Sequence, residues 1–426
     1  MTPPGDKSIT HRALLLGLVA QGATEIRGAN PGEDCGSTAR CASALGGRLE
    51  SLPDGWRVMP APLHASDAPL DCGNSGTTLR LLAGVVAARP FRSVLTGDAS
   101  LRRRPVDRII APLRMMGATL KAREHDRLPP LEIEGARPRA IRYDIPVASA
   151  QVASCILLAA LEAEGETVVT LPGPARDHTE RMLRSAGVAL DEQPLAGGGR
   201  RVTLRGPARL PGGTIQVPGD FSAAAFFIAA AAARPGARLE VEALGLNPTR
   251  TRLLDVLERM GARIERHERT GPGGEPIGTV VVEGPDRLRA ADVPSDWLPG
   301  MIDEVPAWVV AAAAADGVSR LVGAGELRHK ESDRLKALAR GLAALGIEAR
   351  ERPEGLEIAG GQARGGRIES AGDHRIAMAF AVLGCAARAP VEIDDASSIA
   401  TSYPGFLDTL AALGGVIESD EGGGRT

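Results

Sequence analysis

Six runs of nearly uninterrupted apolar residues organise the chain, opening near Asp6, Asn74, Ser149, Asp220, Asp303 and Asp373, so that their starts lie 68, 75, 71, 83 and 70 residues apart. Runs that are apolar on every side predict helices enclosed by other elements. Each is followed by a short β-branched run, a loop, an amphipathic helix, a closing glycine and one or two more strands. The closing glycines, Gly46, Gly117, Gly187, Gly261, Gly346 and Gly414, repeat at intervals of 71, 70, 74, 85 and 68 residues. Two markers sharing one period define six units of about 70 residues. In the fourth unit the pattern predicts a buried helix over Ser222–Ala233, strands at Arg238–Val241 and Thr279–Val282, and a second helix over Thr251–Met260.

The first apolar run opens on Pro4-Gly5-Asp6-Lys7-Ser8 with Arg12 one turn on, and the phrase returns as Pro218-Gly219-Asp220-Phe221-Ser222 without its basic residues. A helix start carries unpaired N–H groups and partial positive charge, so Lys7, Ser8 and Arg12 make a site for phosphate or carboxylate. The halfway echo predicts an α/β (α+β) chain of two domains with three units each, 7–217 and 218–426, the second joined by 1–6. The glycine- and proline-rich crossings are hinges.

Composition narrows the function. The chain has 426 residues, 43% hydrophobic and 24% charged, enough for two full cores. A net charge of −3 with only 3% aromatic residues argues against nucleic acid as a partner. Five cysteines without a C-x-x-C pair point to reduced, small buried residues in a cytoplasmic protein. No apolar stretch is long enough to span a membrane. Residues 7–20 also match the outline of a signal peptide, but a counterpart in mid-chain favours a structural helix. The tail Glu421–Thr426 is expected to fray. Of 50 basic residues only Lys7, Lys121, Lys330 and Lys336 are lysines. Lys7 and Lys330 lie in motifs, whereas Lys121 and Lys336 read as surface positions.

Polar constellations recur at two places, ahead of the buried helix or ahead of the second helix. The first class holds Lys7-Ser8 with Arg12, Asn74-Ser75-Gly76, Ser149-Ala150-Gln151, Asp303-Glu304 and Asp373-His374-Arg375. The second holds Arg102-Arg103-Arg104, Arg176-Asp177-His178 and Lys330-Glu331-Ser332-Asp333-Arg334. Helix starts from both halves would then face one cationic cleft. Asp6, Asp220 and Ser222 read as N-caps. Asp177 and Asp333 read as partners of neighbouring Arg or His, and His64, His125 and His267 as solvated loop residues. Charges ahead of apolar helices need partners, which a ligand can supply. No metal cage or nucleotide loop emerges, so no metal and no cofactor is expected.

These motifs, in this order and over essentially the whole chain, resemble the 5-enolpyruvylshikimate-3-phosphate synthase family. The resemblance rests on Pro4–Ser8, Gly73-Asn74-Ser75-Gly76-Thr77, Arg104-Pro105, Val147–Gln151, Arg176–Glu180, Lys330–Arg334 and Asp373–Met378. It implies two domains of three βαβαββ units around buried parallel helices, with an interdomain active site that closes on its substrates, in a monomer. It further implies that shikimate 3-phosphate is held by Lys7, Ser8, Arg12, Ser149, Ala150, Gln151, Arg176, Asp303 and Lys330, and that phosphoenolpyruvate meets Lys7, Gly76, Arg104, Gln151, Arg334 and Arg375, beside Asn74. Asp303 becomes the candidate base for the 5-hydroxyl, and Glu331 and Lys7 the candidates for proton transfer at the alkene carbon. The inhibitor glyphosate competes for the phosphoenolpyruvate site in this family, which makes Gly76 the position to watch. Departures are the short stretch Met1-Thr2-Pro3 where the family has a further strand, which leaves the first sheet edge open, and Thr401 where some relatives carry lysine. The alternatives are a UDP-N-acetylglucosamine enolpyruvyl transferase, disfavoured because Gly97–Ser100 hold no cysteine and Ser8 replaces asparagine, and a non-catalytic anion-binding homologue.

Overall fold

The computed structural model describes residues 1–271 and 273–418, so the tail at 421–426 lies outside the described residues. Its six inner helices run Lys7–Val19, Gly76–Ala87, Ala150–Ala160, Phe221–Ala233, Val305–Ala314 and His374–Gly384, as the apolar runs predict. Asp6, Ser75, Ser149, Asp220 and Asp373 each accept a first-turn N–H, satisfying a donor that the helix itself cannot. Ser222 is not a cap. It lies inside its helix, where its hydroxyl accepts from Arg250 and donates to Glu304.

The outer helices Glu33–Ala44, Asp107–Met115, His178–Ser185, Arg252–Arg259, Arg334–Ala344 and Phe406–Ala412 stop just short of the six marker glycines. All six glycines adopt positive φ, between 76° and 112°. A left-handed residue closes a helix by turning the chain back, and only glycine does so without a Cβ penalty.

Buried apolar side chains form two clusters, one drawn from Ile9 to Val217 and the other from Phe221 to Leu410. Three inner helices fill each. In the first half Gly84 is packed so closely that a Cβ there would sit 2.2 Å from the Cys155 carbonyl oxygen, so only glycine lets these two helices touch. Cys35, Cys41, Cys72 and Cys155 are buried as expected, but Cys385 is exposed because the sixth inner helix ends at Gly384 and the chain turns outward. None of the described helices is long and apolar enough to cross a membrane.

Small sheets cover the helices. In the second unit Leu70–Asp71 pairs parallel with Arg92–Thr96, which continues antiparallel through Leu128–Glu134 to Thr119–Ala122. The third unit repeats this order with Arg142–Asp144, Gly165–Leu171, Arg200–Gly206 and Leu190–Pro194. The edge left open in the first unit is filled from the end of that half, since Gly213–Gln216 lies parallel to Thr24–Arg27. Met1 takes the corresponding place in the fourth unit, donating to the Glu240 carbonyl (2.6 Å) and accepting from the Glu242 amide (2.9 Å). That unit also contains Arg263–Thr270, a strand that alternation did not reveal because almost every residue on it is charged and exposed. His267 therefore stands on an exposed strand and not in a loop.

The two Pro-Gly-Asp phrases meet. Asp6 N–H donates to the Pro218 carbonyl (2.7 Å) and Asp220 N–H to the Pro4 carbonyl (2.8 Å), so the two chain crossings form one short ladder. On either side of it the inner helices begin.

Candidate active site

In the first half the inner-helix starts are joined by side chains. Gln151 Nε2 donates to Thr77 Oγ1 (3.0 Å), and His11, Thr38 and Thr78 form a buried chain with 2.7 Å links. Lys7 projects from its helix start to Asp34, Nζ to Oδ2 2.8 Å. Burial alone would depress the ammonium, but Asp34 and Glu331 outweigh it and keep the Lys7 pKa above its ordinary value. Arg104 donates to Asn74 Oδ1 (2.6 Å) and Ser100 Oγ (3.3 Å), and Asn74 is itself fixed by Asp98 at 2.7 Å. Gly76 is buried under this pair: a Cβ there would lie 2.6 Å from Arg80 Nη1 and 3.5 Å from Arg104 Nη1.

Arg12 is engaged within the protein, to Thr179 Oγ1 (2.7 Å), Ser154 Oγ (2.9 Å) and the Ser8 carbonyl (2.9 Å). Burial lowers its pKa to about 10. Ser149 caps its helix through the Val152 amide, and Ala150 and Gln151 follow in the first turn.

The second half supplies the carboxylates. Asp303 Oδ2 accepts from Arg176 Nη2 across the halves (2.6 Å), while Oδ1 lies 3.4 Å from Lys330 Nζ and 3.6 Å from Arg334 Nη1. Arg375 donates to the Asp303 carbonyl. Burial would raise the Asp303 pKa, yet Lys330, Arg176, Arg375 and Arg334 together hold it well below the usual carboxylate range. Glu331 lies 2.6 Å from Arg334 Nη2 and 3.6 Å from Arg104 Nη1, the latter again across the halves. Against burial, Arg334 and Arg104 hold its pKa well below normal too. Arg334 is 1% exposed and gripped from behind by Asp373 at 2.8 and 3.2 Å. Burial and the nearby Lys7 push His374 well below its ordinary pKa, leaving a neutral ring.

The structure thus brings Lys7, Arg104, Arg176, Asp303, Lys330, Glu331, Arg334 and Arg375 to one place where the halves meet. The cleft is less cationic than the sequence implies, because Asp34, Asp303, Glu331 and Asp373 pair with its bases. Asp177 bonds Arg181 (2.8 Å), and Asp333 both caps its helix and pairs with Arg328. Sequence reasoning missed Asp34 and Arg250. Both stand in the loop or first turn ahead of an outer helix, the place where units two, three and five carry their basic motifs, so the repeat itself was the available signal.

The arrangement can gather several anionic groups among arginines and helix starts, and it keeps two ionised carboxylates between the cations. The EPSP synthase (3-phosphoshikimate 1-carboxyvinyltransferase) family model matches residues 1–410. A 3-phosphoshikimate 1-carboxyvinyltransferase of Alkaliphilus metalliredigens is 45% identical over 417 residues, covering 97% of this chain and 96% of its own. One of Xanthomonas campestris pv. campestris is 49% identical over 416 residues, covering 96% and 93%. The solved EPSP synthase of Acinetobacter baumannii superposes with a TM-score of 0.86 at 43% identity, covering 98% of this chain and 96% of that one. With six helical repeats, a shared cleft of bases and carboxylates and this likeness over nearly its full length, the chain belongs to the EPSP synthase family.

Proposed function

We propose that the chain transfers the enolpyruvyl group of phosphoenolpyruvate to the 5-hydroxyl of shikimate 3-phosphate, releasing phosphate, as its family does in aromatic amino-acid biosynthesis. The observation that carries this reading is the pair of ionised carboxylates, Asp303 and Glu331, framed by Lys7, Arg104, Arg176, Lys330, Arg334 and Arg375. Shikimate 3-phosphate engages Lys7, Ser8, Ser149, Ala150, Gln151, Arg176, Asp303 and Lys330, with Arg12 supporting that surface from beneath. Phosphoenolpyruvate engages Lys7, Gly76, Asn74, Arg104, Gln151, Arg334 and Arg375. The carbon–oxygen bond to the 5-hydroxyl forms as Asp303 takes that hydroxyl proton and the phosphoenolpyruvate methylene gains one from the Lys7 ammonium, or from Glu331 once bound anions have re-paired Arg334 and Arg104 and its carboxylate has taken up a proton. The tetrahedral adduct then loses a methyl proton and inorganic phosphate, regenerating the alkene. The negative charge that develops on the departing phosphate is met by fixed guanidinium groups and not by reorganising water.

In this reading 7–217 and 218–426, the latter with 1–6, are the domains of a cytoplasmic monomer, and they draw together on shikimate 3-phosphate. Phosphate release on mixing the purified protein with both substrates in excess chelator tests it. Sustained turnover is expected. No release, or release that chelation abolishes and a divalent ion restores, overturns the reading.

A further inference from the structure

The repeat places an Asn-Pro turn ahead of the outer helix in both units that begin with Pro-Gly-Asp, Asn30-Pro31 in the first and Asn247-Pro248 in the fourth. Both asparagines are buried, at 0% and 2% exposure. In each, Oδ1 accepts the amide two residues on, from Gly32 at 2.8 Å and from Thr249 at 2.9 Å. In each, Nδ2 reaches out of its own half. Asn30 donates to the Ser402 carbonyl (3.0 Å) as well as to Gly5 (2.8 Å), and Asn247 donates to Asp177 Oδ1 (2.7 Å) as well as to Glu275 Oε2 (3.0 Å).

The contact at Asn247 belongs to a wider seam. His178 Nδ1 lies 2.7 Å from Glu275 Oε1, and Arg181 reaches the Gly274 carbonyl at 3.2 Å. Three residues on, Arg250 holds Asp6, Asp220 (3.2 Å) and Ser222 (2.6 Å), the caps and first turn of both hinge helices. One turn of the fourth unit therefore touches the segment before Lys7 and the segment after Arg176.

We propose that the two Asn-Pro turns are a pseudo-symmetric pair of clasps across the hinge, and that Asn247 is a positioning residue that holds Arg176 in the composite site. This rests on the enolpyruvyl-transfer reading, because Arg176 is proposed there as a ligand of shikimate 3-phosphate. A clasp acts on the population of the closed arrangement: weakening it raises the apparent dissociation constant by the inverse of the closed fraction, while turnover of the saturated enzyme is kept.

Asn247→Asp preserves the acceptor that makes the turn and replaces only the donor, setting oxygen against Asp177 and Glu275. The KM for shikimate 3-phosphate is expected to rise about 10- to 100-fold with kcat little changed, as for loss of a hydrogen bond to a charged group. The radius of gyration of the ligand-free protein is expected to increase. Asn247→Asp/Asp177→Asn restores a donor–acceptor pair with its direction reversed, and should recover part of both effects. Scattering reads the clasp without turnover, so a protein inactive toward these substrates would overturn the functional reading while leaving the clasp to be judged by its dimensions. If Asn247→Asp does not fold, Asn247→Ser takes its place under the same criteria. A folded variant with wild-type KM and dimensions, or a double variant no better than the single, would overturn the proposal.

Discussion

The two halves of the molecule contribute different chemistry to one cleft. The first brings donors: the Lys7 ammonium, the guanidinium groups of Arg104 and Arg176, the Gln151 amide and the helix starts around them. The second brings cations as well, but also Asp303 and Glu331, which pair with cations of both halves. Each half pairs part of its charge internally, Lys7 with Asp34 and Arg334 with Asp373, whereas Arg176 and Arg104 meet Asp303 and Glu331 only across the cleft. Brought together they neutralise one another and leave charges that a substrate can re-pair. The lesson is that the site belongs to the meeting of the halves, and the proposed roles weight binding to the first and proton handling to the second.

Glu331→Gln tests that division with the largest effect. It keeps the shape and a hydrogen-bonding end toward Arg334 and Arg104 while removing the exchangeable charge. A fall in kcat of about 10²–10⁴-fold with nearly unchanged substrate dissociation constants is expected. Turnover like the wild type in rapid-quench and steady-state assays would dissolve the division.

Gly76→Ala addresses the binding side. The new methyl group would press on the free end of Arg80, which is otherwise held by the Gly76 and Pro105 carbonyls, and would approach Arg104. A pocket tightened there should exclude the longer glyphosate more than phosphoenolpyruvate. Wild type is expected to show competitive inhibition, and the variant an inhibitor constant raised about 10–200-fold more than the KM. Equal weakening of inhibitor and substrate would show that depth at Gly76 does not discriminate them.

Asp34→Asn sharpens the comparison, since Asp34 is a carboxylate on the donor side. Burial lowers the Lys7 pKa and Asp34 is the leading influence that raises it, so removing that charge shifts the pKa downward. Protonated Lys7 would then be lost at lower pH on the alkaline side. The alkaline limb of the kcat/KM profile should move toward neutrality, so that the loss in kcat/KM relative to wild type grows as pH rises and is smallest in acid. An unmoved limb would separate Lys7 ionisation from activity.

Much of this was legible in the sequence because repetition leaves two independent marks. Apolar runs located every inner helix, and the six glycines located the ends of every outer helix through a backbone requirement that only glycine meets cheaply. The strand at Arg263–Thr270 escaped because it is an exposed edge without alternation, and Met1 and Gly213–Gln216 gave no local sign that they would complete sheets elsewhere. At the site, the basic motifs stood out, whereas Asp34 and Arg250 did not. Their importance comes from partners distant in sequence, Asp34 with Lys7 and Arg250 with both Pro-Gly-Asp phrases, and such pairings are set by packing and not by neighbours along the chain.

The scarcity of lysine has a practical consequence. Lys121 and Lys336 are exposed on the surface, while Lys7 and Lys330 sit half-sheltered in the cleft, one from each half. Isotopic dimethylation of amines would therefore place only five labels on the molecule, counting the terminus, and two of them would be native spectroscopic probes of the cleft. Their chemical shifts would follow the ionisation of each ammonium and report whether added substrate contacts it, and the two surface lysines would serve as internal references in the same spectrum.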